Sequence, residues 1–331
     1  MESSNNEIFK EIPGVIRVFK DGRYQRLHIA DFIPAGIDPL SGVTSKDVVF
    51  STDNNISARL YVPKTTTPHH KLPLLIYYHG GSFIISSAMS SFYHNFLNLL
   101  VSESNVVAVS VDYRLVPEFP LPIVYEDSWE AIKWVAKHVN GNGPEPWLNE
   151  YADLQNVFLA GDSAGGNIAH HMAIRVGLDT PAGLQFQGAI LLHPFFWGKE
   201  RVGNEGDGTQ PDFPAMRDDL WAVVHPGSNG PDDPLINPGT DPRIAGMGCS
   251  KILVCVGGND FLRGRGWYYK DVVQKSGWKG DLEVVEDKGE GHVFFLLDPS
   301  CANACTLRKR ICTFINGAWK DILFLKNKVM L

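Results

Sequence analysis

Residues Asn156–Ala173 read NVFLAGDSAGGNIAHHMA, and their reading decides the fold. An apolar run of strand character stops at Gly161, a serine follows among small residues, and a helical pattern starts at Ala164. Gly161-Asp162-Ser163-Ala164-Gly165 fits G-x-S-x-G in the strand–turn–helix context that makes the motif informative. Glycines on either side of Ser163 leave room for a sharp turn that lifts the hydroxyl above a sheet edge. The next helix aims the positive end of its dipole at the same spot, and the Ala164 N–H would face an oxyanion there. A phosphate-cradling reading of this turn fails twice. No acid ends the following strand, GAILLH, where a ribose needs one. Asp162 also puts a carboxylate where the anion would sit.

Outward from the turn, LPLLIYYH and VVAVSVDY upstream and GAILLHPFF, KILVCVGG and LEVVE downstream are short apolar runs of the kind buried on both faces of a parallel sheet. Helical spacing separates them, at about Phe92 to Ser102, at Val124 to His138 and from Ala164. Nearer the start, VIRVFKDGRYQRLHI alternates around Asp21-Gly22, a hairpin dipeptide, and KDVVFST and ISARLYVP form two further strands. This order predicts one α/β domain over 1–331, with a mostly parallel central sheet and helices on both faces. Two segments stand apart as lid elements: the N-terminal segment 1–45, and the Gly/Pro/Asp-rich insertion 199–248 with its short helical candidate MRDDLWAVV.

Composition bounds the partners. With 331 residues, 44% of them hydrophobic, and a net charge of −7, the chain is ordinary globular material without a basic surplus. That excludes nucleic acid as an expected partner. No apolar run reaches the ~18 residues of a membrane span, so no membrane partner is expected. The polar N-terminus lacks the apolar core of a secretory signal, and the five cysteines are too few for a disulfide framework. A cytoplasmic location follows as the expectation. Cys301 and Cys305 lie one helical turn apart with no second Cys or His pair at ligand spacing, so no metal centre is expected.

A serine hydroxyl at such a turn needs a base, and the base an orienting acid. His292 stands in a Gly-flanked loop, DKGEGHVF, between the last strand and the last helix. It is the best-placed of eleven histidines. His170 and His171 sit on the helix leaving the turn and read as packing residues; His193 ends a strand before Pro194. Asp260, just past the strand KILVCVGG, is the candidate acid, against a competing reading as a helix cap. Glu286, Asp287 and Glu290 would have to fold back to reach the ring. In Tyr77-Tyr78-His79-Gly80-Gly81-Ser82-Phe83 the glycines free backbone donors, so Gly80, Gly81 and Ala164 are the expected oxyanion hole.

HGGSF, GDSAGGN, a late Asp and a late GH, all in order, resemble the hormone-sensitive-lipase-like branch of the α/β-hydrolases. Asp112-Tyr113-Arg114-Leu115-Val116-Pro117-Glu118 is similar to that branch's DYRLAPE segment, with Val116 in place of Ala. FKDGRYQRL, SARLYVPK and HPFFWG narrow the resemblance to the plant carboxylesterase group over nearly the whole chain. The resemblance implies the α/β-hydrolase fold and cofactor-free hydrolysis of small-molecule esters through an acyl-enzyme. Ser163 would be nucleophile, His292 base and Asp260 orienter, and the DYRLVPE segment an ion-paired brace. Ser82, Phe83, Ile84, Trp197, Trp221, Val293 and Phe294 are the expected pocket wall. Two positions depart from the family pattern. Ser82 replaces the third glycine of HGGG, and Phe261 follows the acid where proline is frequent. The same scaffold serves 2-hydroxyisoflavanone dehydratases and alkaloid cyclases, which a complete triad does not exclude. It also serves gibberellin receptors, which lack the histidine retained here as His292.

Overall fold

The computed structural model describes residues 7–64, 67, 70–203, 205 and 213–317. The insertion residues 204 and 206–212, and residues 1–6 of the N-terminal segment, lie outside the described part. Eleven strands and eight α-helices follow one another among the described residues. Strands β1 (Ile8–Ile12), β2 (Ile16–Phe19) and β3 (Tyr24–Arg26) form a small antiparallel sheet; β2 and β3 are the hairpin read at Asp21-Gly22. The remaining strands, β4 (Thr44–Ser51), β5 (Ile56–Val62), β6 (Leu72–Tyr78), β7 (Val107–Asp112), β8 (Ala152–Asp162), β9 (Phe186–Leu192), β10 (Lys251–Gly257) and β11 (Asp281–Asp287), form one sheet in the order β11-β10-β9-β8-β6-β7-β5-β4. Pairing is parallel from β7 through β11 and antiparallel only at β4–β5 and β5–β7.

The strand sequences explain the layers. β6 reads LPLLIYY and buries all but one of its residues, as a central strand covered on both faces must. Helices α1 (Ser91–Ser104), α2 (Ile123–Ala136), α3 (Pro146–Tyr151), α4 (Ala164–Leu178), α5 (Phe213–Val224), α6 (Arg263–Ser276), α7 (Phe294–Leu297) and α8 (Ala302–Ile315) supply the cover. Apolar residues of α1, α7 and α8 close one face of the sheet. Those of α2, α4 and α6 close the other. α1 stops where Asn105 turns left-handed at φ 53° and its N–H bonds the Val101 carbonyl, a helix end that asparagine tolerates.

Topology fixes where a ligand goes. β6 is followed by β7 on one side and bordered by β8 on the other, so the chain reverses its direction of travel across the sheet between β6 and β8. Loops leaving the carboxyl ends of such a pair diverge and open a crevice. The register brings Tyr78 of β6 level with Gly161 of β8, and Asp162 level with Leu192 of β9. The HGGSF loop and the serine turn therefore leave the sheet side by side.

The two segments read as lid elements pack against the body and against each other. Leu220, Trp221 and Val224 of α5 are buried in the main core, and the Leu121 N–H bonds the Val224 carbonyl at 3.2 Å. Lys10 of β1 pairs with Asp219 of α5 at 2.5 Å. Arg26 of β3 donates to the Ile84 and Val116 carbonyls at 2.7 and 2.9 Å and pairs with Glu118. Burial works against the Glu118 charge, but Arg26 and the Tyr24 hydroxyl outweigh it and hold the carboxyl down to about 2.

Candidate active site

Ser163 follows β8 and caps α4 with φ 51° and ψ −117°, a positive φ at which a non-glycine residue is strained. The flanking glycines make the turn sterically feasible. A Cβ on Gly165 would sit 1.9 Å from the Tyr78 carbonyl oxygen, and one on Gly161 would sit 2.3 Å from the Gly165 carbonyl oxygen. Side chains there would push α4 off β6. The Ser163 N–H bonds the Leu192 carbonyl, and its own carbonyl accepts from Asn167 and Phe195, so the turn is held from three sides.

Three side chains converge from separate strand ends. His292 Nε2 lies 3.0 Å from Ser163 Oγ, and His292 Nδ1 lies 2.9 Å from Asp260 Oδ2. The other Asp260 oxygen accepts the Leu262 N–H at 2.8 Å in a local turn. The helix that follows is capped at Leu262 without a side-chain bond, so the competing reading of Asp260 as a helix cap does not hold. Burial opposes the Asp260 charge, yet His292 and the ring N–H donors hold its carboxyl well below the usual range. Phe261, the departure from proline, lays its ring against His292 with centroids 4.7 Å apart. The structure thus brings together Ser163, Asp260 and His292, in hydrogen-bonding reach of a proton moving from hydroxyl to imidazole.

The donors require a correction. The Gly80 N–H is already spent on the Tyr93 hydroxyl at 2.8 Å and on Asp162 at 3.1 Å, so it cannot serve an oxyanion. Gly80 is glycine for another reason: a Cβ there would stand 2.4 Å from the Asp162 carboxylate. That carboxylate also accepts from the Tyr77 hydroxyl at 2.8 Å and from Tyr93 at 3.1 Å. Burial pushes the Asp162 carboxyl up to about 6 despite those donors and the nearby His292. The chain leaves Gly80 through Gly81 at φ 99°, Ser82 at 58° and Phe83 at 64°, a left-handed run that turns successive amides inward. Gly81 and Ser82 line the cavity beside Ser163, and Ala164 adjoins Ser163 at the first turn of α4. Their three N–H groups make no hydrogen bond recorded among the described residues. The amides left open beside Ser163 are therefore those of Gly81, Ser82 and Ala164, whereas that of Gly80 is engaged.

The brace read in DYRLVPE is present. Asp112 accepts from Ser87 Oγ and the Ala88 N–H, and Tyr113 donates to the His79 carbonyl at 2.6 Å while stacking on the His79 ring. Arg114 grips the buried Asp127 through both carboxylate oxygens. His79, buried and held neutral by desolvation, bonds the Gly80 carbonyl through Nδ1 and is a structural residue of the loop.

A cavity of about 250 Å³ adjoins Ser163. Of the expected wall, Ser82 and Val293 line it. Phe83, Ile84, Trp197, Trp221 and Phe294 do not; they are buried in the two cores, where their area is removed from water by neighbouring strands and helices. The wall is instead Ile85, Ser86, Phe92, Tyr93, Leu296 and Leu297, with Gly14 and His28 reaching in from the N-terminal segment. A sequence signal existed for Leu296 and Leu297, which follow His292 within two helical turns. None existed for Gly14 or His28, which arrive by docking of the small sheet. Sequence reading also passed over His193, whose Nδ1 lies 2.6 Å from Asp260.

Residues 75–296 match a family described as alpha/beta hydrolase fold. A protein named probable carboxylesterase 4, mitochondrial, from Arabidopsis thaliana is 46% identical over 320 residues, covering 95% of this chain and 85% of that protein. A 2-hydroxyisoflavanone dehydratase from Glycyrrhiza echinata is 42% identical over 323 residues, covering 95% of this chain and 98% of its own. Among solved structures, a thermostable esterase from Pseudomonas putida superimposes with a TM-score of 0.70 at 22% identity, covering 85% of this chain and 84% of that one.

Proposed function

Because the chain belongs to the alpha/beta hydrolase fold family, in its plant carboxylesterase group, we propose that it is a serine carboxylesterase acting on small esters. The observation that carries the reading is the continuous hydrogen-bonded line from Ser163 Oγ through His292 to Asp260 at the mouth of an apolar cavity. Ser163 Oγ attacks the ester carbonyl carbon as His292 Nε2 takes its proton. The carbonyl oxygen becomes an alkoxide against the Gly81, Ser82 and Ala164 amides. Collapse breaks the bond to the alcohol, which leaves with the proton from His292, and an acyl-serine remains. Water, deprotonated by His292, repeats the sequence and releases the acid. Base assistance of this kind contributes ~10²–10⁴ in rate, and each amide donor ~10²–10³.

The cavity of about 250 Å³ is below the usual span for drug-sized ligands, ~300–1,000 Å³, which supports a short acyl group. The one membrane-related observation is that no helix among the described residues is long and apolar enough to cross a bilayer. A reducing, cytoplasmic setting is proposed with the activity, supported by five free thiols.

The deciding experiment is hydrolysis of p-nitrophenyl acetate and butyrate by the purified protein beside Ser163→Ala, with stopped-flow detection of an acyl burst. Turnover and a burst that vanish in the alanine variant uphold the reading. An inert, folded wild-type protein sinks it. A dehydratase reading is favoured by the 42% identity to the Glycyrrhiza echinata enzyme. Product analysis with a 2-hydroxyisoflavanone separates the two, since elimination releases water and no acid.

A further inference from the structure

Asp260 Oδ2 receives two imidazoles. His292 Nδ1 stands 2.9 Å away and His193 Nδ1 stands closer, at 2.6 Å. His193 follows the last residue of β9 at φ 48°, donates its backbone N–H to the Cys255 carbonyl at 2.8 Å, and is wholly buried. The ring fits because residue 257 is glycine: a Cβ there would come within 3.0 Å of His193 Cε1. The Phe294 and Phe295 rings close the other sides, and Nε2 has no hydrogen-bond partner among the described residues.

This environment fixes the tautomer. A nitrogen lone pair at 2.6 Å from an ionised carboxylate would be repelled, so Nδ1 carries the proton and donates. The Val293 N–H, 3.3 Å from the same nitrogen, then finds no lone pair there. Nε2 faces apolar rings without an acceptor, so a second proton would be buried unpaired, and desolvation accordingly lowers the His193 pKa.

We propose that His193 is a positioning residue of the triad: as a neutral donor it holds Asp260 in place and shares the oxygen that stabilises charged His292. The inference rests on the serine esterase reading above and deepens it. With Leu262 N–H on Oδ1 and His193 on Oδ2, the carboxylate cannot rotate away from His292. Donation from His193 also draws charge from Oδ2, so the oxygen that faces His292 is shared between two donors. Other charges reach this group. His292 itself opposes protonation of His193, and Asp287 and Asp260 favour it. Asp162 interacts with His292, and Arg217 of α5 with Asp260.

Two measurements test it. In the proton NMR spectrum of the wild-type protein, two low-field ring N–H signals are expected, one from each histidine on Asp260, and one of them is absent in His193→Asn. The pH profile of kcat/KM for p-nitrophenyl acetate gives the functional side. His193→Phe should raise the midpoint of the acid limb by about half a unit to one unit and lower kcat at least about tenfold. His193→Asn, which keeps an N–H near the same place, should restore the midpoint and most of kcat. An acid limb unmoved in both variants, or the same low-field signals before and after His193→Asn, overturns the proposal. If His193→Phe does not fold, the asparagine variant and the spectra still decide. A wild-type protein inert to esters refutes the esterase reading alone, because the spectra report on His193 without turnover.

Discussion

Replacing Gly81 by alanine tests the corrected donor set directly. Gly81 has φ 99°, and an added Cβ would lie 2.1 Å from the Ile85 carbonyl oxygen. Opening that contact to 3.0 Å requires about 0.9 Å of movement (3.0 − 2.1). The Gly80 side cannot yield, since its N–H is tied to Tyr93 and Asp162. The Ile84 and Ile85 amides hold the Gly81 carbonyl, each at 2.9 Å. The displacement therefore falls on the Gly81 and Ser82 amides. A misplacement of ~1 Å costs ~10² in rate, and loss of one donor costs ~10²–10³, about 2.7–4 kcal/mol. Acylation by p-nitrophenyl acetate, followed by stopped flow, should slow by that factor with a smaller change in KM. Ser82→Ala, which keeps its amide, should stay within about twofold, the ~0.5 kcal/mol usual for a substitution that leaves the backbone in place. A Gly81→Ala protein that melts normally and acylates within about fivefold of wild type would refute the assignment.

Other outcomes follow from the same geometry. Asp162, with its folded pKa raised to about 6 from the ordinary 3.8, takes up a proton on folding. Its contribution is fully present below the unfolded value and is lost as pH rises through about 6. Wild-type stability in urea should therefore gain up to about 3 kcal/mol relative to Asp162→Asn between pH 7.5 and pH 4; parallel pH profiles would contradict this. Arg26→Met removes the charged donor that seats β3 on the Ile84 and Val116 carbonyls. A loss of about 1–2 kcal/mol should loosen the Gly14 and His28 wall and raise KM by up to about tenfold, with kcat changed less; a rise confined to kcat effects would contradict that placement. Ile85→Phe fills the cavity and should cut butyrate relative to acetate turnover by at least about tenfold, and an unchanged ratio would put the acyl chain elsewhere.

The elements that carry local signals were legible. The Gly161–Gly165 turn, the strand order around it, and the loops bearing Asp260 and His292 follow from periodicity and from glycines that only one geometry explains. What escaped depends on tertiary partners. Gly80 reads as an oxyanion donor until Tyr93 arrives from α1 and Asp162 from β8 to take its N–H. Trp197 and Trp221 read as wall because the resemblance places the insertion, and the segment leading into it, over the pocket. The insertion instead packs Leu220 and Trp221 into the core beside Trp197. His193 and Asp260 meet across 67 positions, because β9 and β10 are parallel neighbours, and nothing near either residue announces the other.

The distribution of the triad over the ends of β8, β10 and the loop after β11 has a consequence for biosynthesis. Ser163 is made early, but its base comes 129 positions later. At ~5–20 residues per second, the ribosome needs roughly another 6–26 s to reach it. The roof is split in the same way, since Lys10 waits for Asp219, 209 positions on. A nascent chain cut short before residue 292 therefore carries Ser163 without the imidazole that stands 3.0 Å from its Oγ in the folded protein, and any proton transfer along that contact waits until residue 292 has been made.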